Sequence, residues 1–253
     1  MTMTLRDTMG GLAKGLAVIE TFGADRPRQS IADVAAASGL DRATARRCLL
    51  TLVQQGYAEH DGKFFTLTPR VLRLGTACLA TMPLPQMVQP WLDRVSQRLG
   101  ESSSLSILDG QDIVYVARSA QRKVMSISLM PGSRLPAFCT SMGRVLLAAL
   151  PQADLVQRLS AQPLTARTPM TITDLPTLFA RIAAVRAQGF AVIDQEVEIG
   201  LRSIAVPIAD ARGRVVAAMN LGLPVMNEAA DMLVPRYLPT LKAVQSELRK
   251  ILN

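Results

Sequence analysis

The chain has 253 residues, 49% of them hydrophobic, which is enough for two domains of unequal size and excludes a disordered polar polymer. A formal charge of +8 and a pI near 10.0 favour an anionic partner, but the excess is spread: Lys and Arg stand at 10 against 7 acidic residues over 1–80 and 18 against 13 over the rest. Three separated cysteines (Cys48, Cys78, Cys139) and one histidine (His60) fit neither a disulfide framework nor a paired zinc pattern, so no metal and no cofactor is expected.

Residues 1–21 carry Arg6, Asp7, Lys14 and Glu20 without a continuous apolar stretch, unlike a secretory signal. No later segment reaches the roughly 18 uninterrupted apolar residues of a membrane span, so a cytoplasmic protein is expected. Leu16, Val18, Ile19 and Phe22 predict a short first helix over Gly15–Phe22, closed by Gly23. After a polar turn, Ser30 can cap a second helix, with Asp33 answering as a capping box and Ile31, Val34 and Ala35 as its buried stripe, ending at Gly39. Asp41 can cap the third, where Ala45, Cys48, Leu49, Leu52 and Val53 line one face and Arg42, Ala43, Arg46 and Arg47 the other.

A helix-turn-helix needs a small residue where its helices cross, a glycine in the turn and apolar residues inside the second helix. Ala35, Gly39, Leu40, Ala45 and Cys48 meet these needs at the right spacing. Arg42 and Thr44 open the second helix and Arg46 and Arg47 follow one turn on, placed to reach guanine edges and phosphates. A small helical bundle with a solvated arginine face is the competing reading. Residues 57–67 then read as two strands joined at Asp61-Gly62, a wing with Lys63 at its tip. The candidate DNA contacts are Ser30, Arg42, Ala43, Thr44, Arg46, Arg47 and Lys63, whereas His60 reads as an ordinary hairpin residue.

From Pro69, the spacing of Val71, Leu72, Leu74 and Leu79 predicts a connecting helix that packs on a second subunit or within one chain. Residues 81–85 break the pattern, giving a DNA-binding domain over 1–69, a linker helix over 70–83 and a larger domain over 84–253. There Met87, Val88, Trp91, Leu92, Val95 and Leu99 mark a helix ending at Gly100, with Pro90 near its first turn. Strands are predicted at Ser104–Leu108, Asp112–Arg118 and Val124–Leu129, and helices around Gly143–Leu150, Ala153–Leu159 and Leu175–Gln188. Further strands follow at Phe190–Asp194, Ser203–Ala209 and Arg214–Leu221, and a last helix carries Leu238, Leu241, Val244, Leu248 and Ile251. The fold class is α+β, a sheet covered by helices behind a winged helix-turn-helix.

Residues 132–143 lead from a turn into a helix capped by Thr140 or Ser141. Free N–H groups there favour a carboxylate, and Arg134 can add a two-pronged clamp, although a capped helix with no ligand fits equally. Asp194, Glu196 and Glu198 alternate, so they share a side if that segment is extended. Ser203 and Asn220 can supply polar contacts in an otherwise apolar cavity.

On Leu40–Leu49, on Gly132–Ala137, and on Asp194–Glu196 with Gly200–Pro207, the chain resembles the IclR family of bacterial regulators nearly end to end, most closely the subgroup that regulates protocatechuate, 4-hydroxybenzoate and β-ketoadipate catabolism. The resemblance implies a GAF-like effector domain and a homodimer or dimer of dimers on palindromic double-stranded operator DNA. A small organic acid would alter its DNA affinity or its contacts with RNA polymerase. The implied effector site is bounded by Cys139, Thr140, Ser141, Met142 and Gly143 and by Asp194, Ser203, Asn220 and Gly222, with Arg134 and Glu196 as added candidates. Relatives that bind very small acids have cysteine at the Ser203 position and serine at the Asn220 position, so an aromatic or dicarboxylic acid is expected here.

Two other readings compete. An enzyme would use Cys139 or Ser141 as nucleophile, but the larger domain has no histidine and Asp194 or Glu196 would have to act as base. An architectural DNA-binding protein without effector would need far less than the second domain.

Overall fold

Leu12 stands one turn before Leu16, and the first helix, α1 (Gly10–Glu20), begins earlier than the stretch from Gly15 predicts. The computed structural model describes residues 8–23, 25–121, 129–161, 163–227 and 229–252. The chain divides into two units, Met1–Thr81 and Met82–Asn253.

In the first unit, Ser30 and Asp33 form the capping box of α2 (Ile31–Ser38), and Gly39 closes it in the left-handed region at φ +68°. The Asp41 carboxylate accepts from the Thr44 N–H at 2.8 Å and starts α3 (Arg42–Gln54). Val18, Val34, Ala45, Leu49 and Phe65 close the core between these helices and a small sheet. That sheet holds β1 (Arg28–Gln29), β2 (Ala58–His60) and β3 (Phe65–Leu67) in the antiparallel order β1-β3-β2. The two residues of β1 are too few to show alternation, so the sequence reads them as part of a turn. A 3-10 turn at Pro69–Val71 leads into α4 (Leu72–Thr81).

The second unit opens with α5 (Pro83–Leu99), which begins at Pro83 rather than at the first periodic residue, Met87. Proline is tolerated in a first helical turn, where its missing N–H has no partner to lose; the earlier start leaves Pro90 inside the helix. Among the described residues six strands follow, β4 (Ser102–Asp109), β5 (Asp112–Ser119), β6 (Arg134–Pro136), β7 (Ala191–Asp194), β8 (Leu201–Ala209) and β9 (Val215–Pro224). They form one antiparallel sheet in the order β6-β5-β4-β9-β8-β7. Helices α5 and α9 (Leu233–Ile251) cover one face, where Val88, Leu92, Tyr237 and Leu241 meet Ile204, Val206 and Met219. Helices α6 (Ser141–Ala148), α7 (Gln152–Ser160) and α8 (Leu175–Gln188) cover the other, where Met142, Leu147, Leu178 and Ile182 meet Ile113, Ala205 and Ala218.

Two expectations change, and a third lies almost wholly outside the described residues. The strand predicted over Val124–Leu129 lies, except for Leu129, outside the described residues, and Leu129 is in no strand. Arg134–Pro136, read as part of a turn, pairs with β5 at the sheet edge, where a terminal proline deprives no further strand of a donor. The acidic run 194–198 is not extended: β7 stops at Asp194, Gln195 takes φ +60°, and the Thr168 and Thr171 hydroxyls donate to the Gln195 and Glu196 carbonyls. Among the described residues, no helix is long and apolar enough to cross a membrane.

Candidate functional site

In the first unit, the stripe Ala45, Leu49 and Leu52 buries one side of α3, so Arg42, Ala43, Arg46 and Arg47 are exposed on the other. No carboxylate pairs with these three arginines among the described residues. Thr44 is half-buried. Ser30 is engaged with Asp33, so its local task is the helix cap. The wing turn is ordered by Asp61, whose carboxylate accepts from the Lys63 and Phe64 N–H groups and pairs with Arg28. Those N–H bonds, with Arg28, hold the Asp61 carboxyl well below the usual carboxylate range. The ammonium of Lys63 and the guanidinium of Arg28 lie over the Phe64 ring at 5.0 and 5.1 Å, which fixes two cations at the wing.

In the second unit, α6 stands with its N-terminus over the sheet and a small cavity lies beneath it. Thr140 accepts from the Gly143 N–H at 3.1 Å, and the stretch before it doubles back closely. A Cβ on Gly143 would stand 2.1 Å from the Ala137 carbonyl oxygen, so only glycine lets the two segments touch. The floor is drawn from two neighbouring rows of cross-strand partners, all of whose residues except Ser104 line the cavity. One row is Arg118, Ser104 and Asn220; the other is Ser102, Gly222 and Ser203. A Cβ on Gly222 would meet no atom within 4 Å, as expected over open space. Thr140, Ser141 and Met142 roof the cavity from the cap and first turn of α6, Val197 from the turn after β7 and Leu201 from the start of β8, with Tyr115 and Leu135 beside them. Its volume is about 30 Å³, room for one or two waters, so a ring-sized ligand requires a wall to yield. Met142, unbranched and with three rotatable bonds, is the lining side chain best able to do so.

A β-bulge decides which β5 side chains face this space. Leu105 pairs with Ala117 and Ser106 with Tyr115, leaving Val116 as the extra residue. Val116 and Ala117 both enter the core under α5 and α9, and Tyr115 and Arg118 both face the cavity. Strict alternation puts residues three apart on opposite faces. That is why the sequence reading missed Arg118 and Tyr115, since the bulge has no signature in the residue pattern; Ser102 lies before the predicted strand Ser104–Leu108, which the structure extends back to it.

Of the predicted ligand residues, Thr140, Ser141, Met142, Ser203, Asn220 and Gly222 line the cavity. Four others face different partners and need correction. Arg134 is on the exposed edge strand, bonded to Asp109 at 2.6 Å and Asp112 at 3.2 Å. Asp194 pairs with Arg202 at 2.8 Å. The Glu196 carboxylate meets the Arg144 guanidinium at 2.6 Å, with side chains only 8% and 4% exposed. Cys139 is buried just outside the lining, and burial pushes its thiol up to about 12. Gly143 acts through the close approach to Ala137.

The polar atoms around the cavity are under-satisfied. Ser141 Oγ and Asn220 Oδ1 are buried without a hydrogen-bond partner, as is Arg118 Nε, while Arg118 Nη1 donates to Ser104 Oγ at 3.0 Å. Burial lowers the Arg118 guanidinium from its usual value, and burial pushes the Tyr115 phenol up to about 12, so the phenol stays neutral. Buried orphans of this kind mark a place where a ligand or water completes the bonding.

Residues 11–62 match the IclR helix-turn-helix domain, and residues 76–248 match the bacterial transcriptional regulator IclR C-terminal domain. The chain is 47% identical over 243 residues to the Pca regulon regulatory protein of Pseudomonas putida, covering 96% of this chain and 84% of that one. An IclR homolog complexed with 4-hydroxybenzoate from Microbacterium hydrocarbonoxydans superposes with a TM-score of 0.75 at 27% identity, covering 95% of this chain and 100% of that one. The inducer-binding domain of the PobR transcription factor from Acinetobacter, a double mutant in complex with 3-hydroxybenzoic acid, gives a TM-score of 0.63 at 31% identity and covers 66% of this chain and 98% of that one. With both domains matched in order on one polypeptide, the chain belongs to the IclR family of bacterial transcription regulators.

Proposed function

We propose that this regulator binds operator DNA through α3 and the wing and is switched by a hydroxylated aromatic acid held under α6. Arg42, Arg46 and Arg47, exposed without carboxylate partners, supply contacts to bases and phosphates, and Lys63 supplies one from the wing. Residues 1–69 then serve as the DNA-binding domain, 70–83 as the linker helix and 84–253 as the effector and oligomerisation domain. The observation that carries the effector half is the cavity itself, where Ser141 and Asn220 are buried with unpartnered oxygens beside a desolvated arginine. The relatives named for the Pca regulon and for complexes with hydroxybenzoates point to the same class of acid.

The protein works as a homodimer or dimer of dimers in the cytoplasm, and its contact with RNA polymerase belongs to the same proposal. Two features support self-association. Helix α4 leaves Leu72 67% exposed, and an isolated ten-residue helix is marginal in water. Leu12, 62% exposed, borders an apolar groove between α1 and α3. Occupancy rather than turnover is the signal, because the Cys139 thiol is buried and protonated and no base is bonded to Ser141 Oγ.

Thermal unfolding with protocatechuate, 4-hydroxybenzoate and β-ketoadipate tests the effector. At 100 times its Kd, a ligand of the native state adds about 2.7 kcal/mol, a rise of roughly 5–11 °C for a domain of this size. The rise should vanish in Gly222→Val, whose side chain would stand in the cavity. No rise with protocatechuate or 4-hydroxybenzoate contradicts the aromatic-acid assignment, and a rise with β-ketoadipate alone assigns an aliphatic dicarboxylic acid in its place.

A further inference from the structure

We infer that Arg118 is the anchor for the effector's carboxylate, and that Asn220 and Ser141, which line the same cavity, receive the hydroxyl of that acid. The inference rests on the proposed aromatic-acid effector and adds how that acid lies in the site. Arg134, Arg144, Arg202 and Arg214 each face an Asp or Glu. Among the described residues Arg118 does not: its bond is to the neutral Ser104 hydroxyl, and its Nε has no partner. A half-buried cation without a counter-ion is a destabilising arrangement that an incoming anion relieves. The planar guanidinium matches a carboxylate with two parallel N–H bonds.

The sheet sets the polarity of the site. Arg118 and Asn220 flank Ser104 in one row across β5, β4 and β9, so their Cα atoms are two strand spacings apart, about 10 Å. The Arg118 guanidinium leans onto Ser104, so the cation comes to the site from the β5 side, while Asn220 on β9 and Ser141 on α6 offer neutral groups: Asn220 Oδ1 can accept a hydrogen bond from a hydroxyl, and Ser141 Oγ can donate or accept. Arg118 reaches this row because of the bulge at Val116. A ligand in the cavity meets the charge on the β5 side and hydroxyl-bonding groups on β9 and α6.

The test is calorimetric titration of 4-hydroxybenzoate and its neutral amide, 4-hydroxybenzamide, into the full chain as wild type, Arg118→Gln and Arg118→Lys. Wild type should prefer the acid. Arg118→Gln should lose about 10–100-fold in acid affinity with the amide unchanged, the scale of hydrogen bonds to a charged group. Arg118→Lys keeps the charge without the two-pronged geometry and should fall between them, which also covers a glutamine variant that does not fold. A structural role would lower the melting point of ligand-free Arg118→Gln, whereas the anchor role leaves it unchanged or raises it, because an uncompensated charge is removed. Equal acid affinity in wild type and both variants overturns the anchor and leaves the aromatic-acid effector standing. Wild type binding none of the panel acids overturns both.

Discussion

Glu196→Ala should lower the melting temperature of the larger unit by about 6–20 °C, the consequence of losing roughly 3–5 kcal/mol when one member of a buried ion pair is deleted. The substitution leaves the Arg144 guanidinium with its bond to the Phe138 carbonyl and no counter-charge in an interior that already lowers its affinity for a proton. It also removes the acceptor for the Ile172 N–H. Burial likewise pushes the Glu196 carboxyl upward against the pull of Arg144, so the pair is held by the surrounding fold rather than by an intrinsic surplus of attraction. Two controls sharpen the experiment. Replacing both partners by methionine should cost far less than Glu196→Ala, since apolar packing replaces the pair. Arg134→Ala, on the exposed edge, should cost about 0–1 kcal/mol. A Glu196→Ala protein that melts with wild type in calorimetry would mean that Arg144 finds water, and the buried latch between α6 and the turn after β7 would have to be abandoned.

The double variant Arg46→Ala/Arg47→Ala should bind operator about 100-fold more weakly or worse, with a melting temperature within a few degrees of wild type. Each base-directed arginine contributes about 1–3 kcal/mol, and each phosphate contact removed flattens the salt dependence by nearly one unit of slope. Both side chains are exposed and apart from the Ala45, Leu49, Leu52 stripe, so their loss leaves the core intact. Fluorescence anisotropy at several salt concentrations separates the two contributions. Loss of affinity at one DNA sequence alone marks base reading, and a uniform loss with a shallower slope marks phosphate contact. Undiminished affinity would remove α3 from the DNA.

The first unit was largely legible because its determinants are local. Ser30 with Asp33, Gly39, and Asp41 with Thr44 mark helix ends within four residues of chain, and Asp61-Gly62 marks the hairpin. The helix predicted over Leu175–Gln188 keeps those bounds, and the structure shows Asp174 capping its start and Gly189 closing its end. The cavity was half legible. Thr140–Met142, Ser203, Asn220 and Gly222 sit at strand and helix ends, where polar residues announce themselves. Arg118 and Tyr115 did not, because the bulge at Val116 overrides the two-residue period that assigns strand faces. Arg134, Asp194 and Glu196 were misplaced for a related reason: a charged residue near a predicted site is visible in sequence, but the partner that neutralises it comes from Asp109, Arg202 or Arg144, set beside it only by the fold.

The proposed function requires that one chain couple an acid site under α6 to the DNA-reading face of α3. It is tested most directly by titrating labelled operator with the protein at fixed salt, with and without saturating 4-hydroxybenzoate. The coupling predicts operator affinities that differ by about 5–150-fold between the two curves, in either direction, and the same factor in acid affinity with and without DNA. Superimposable curves from a protein that demonstrably binds the acid would contradict it.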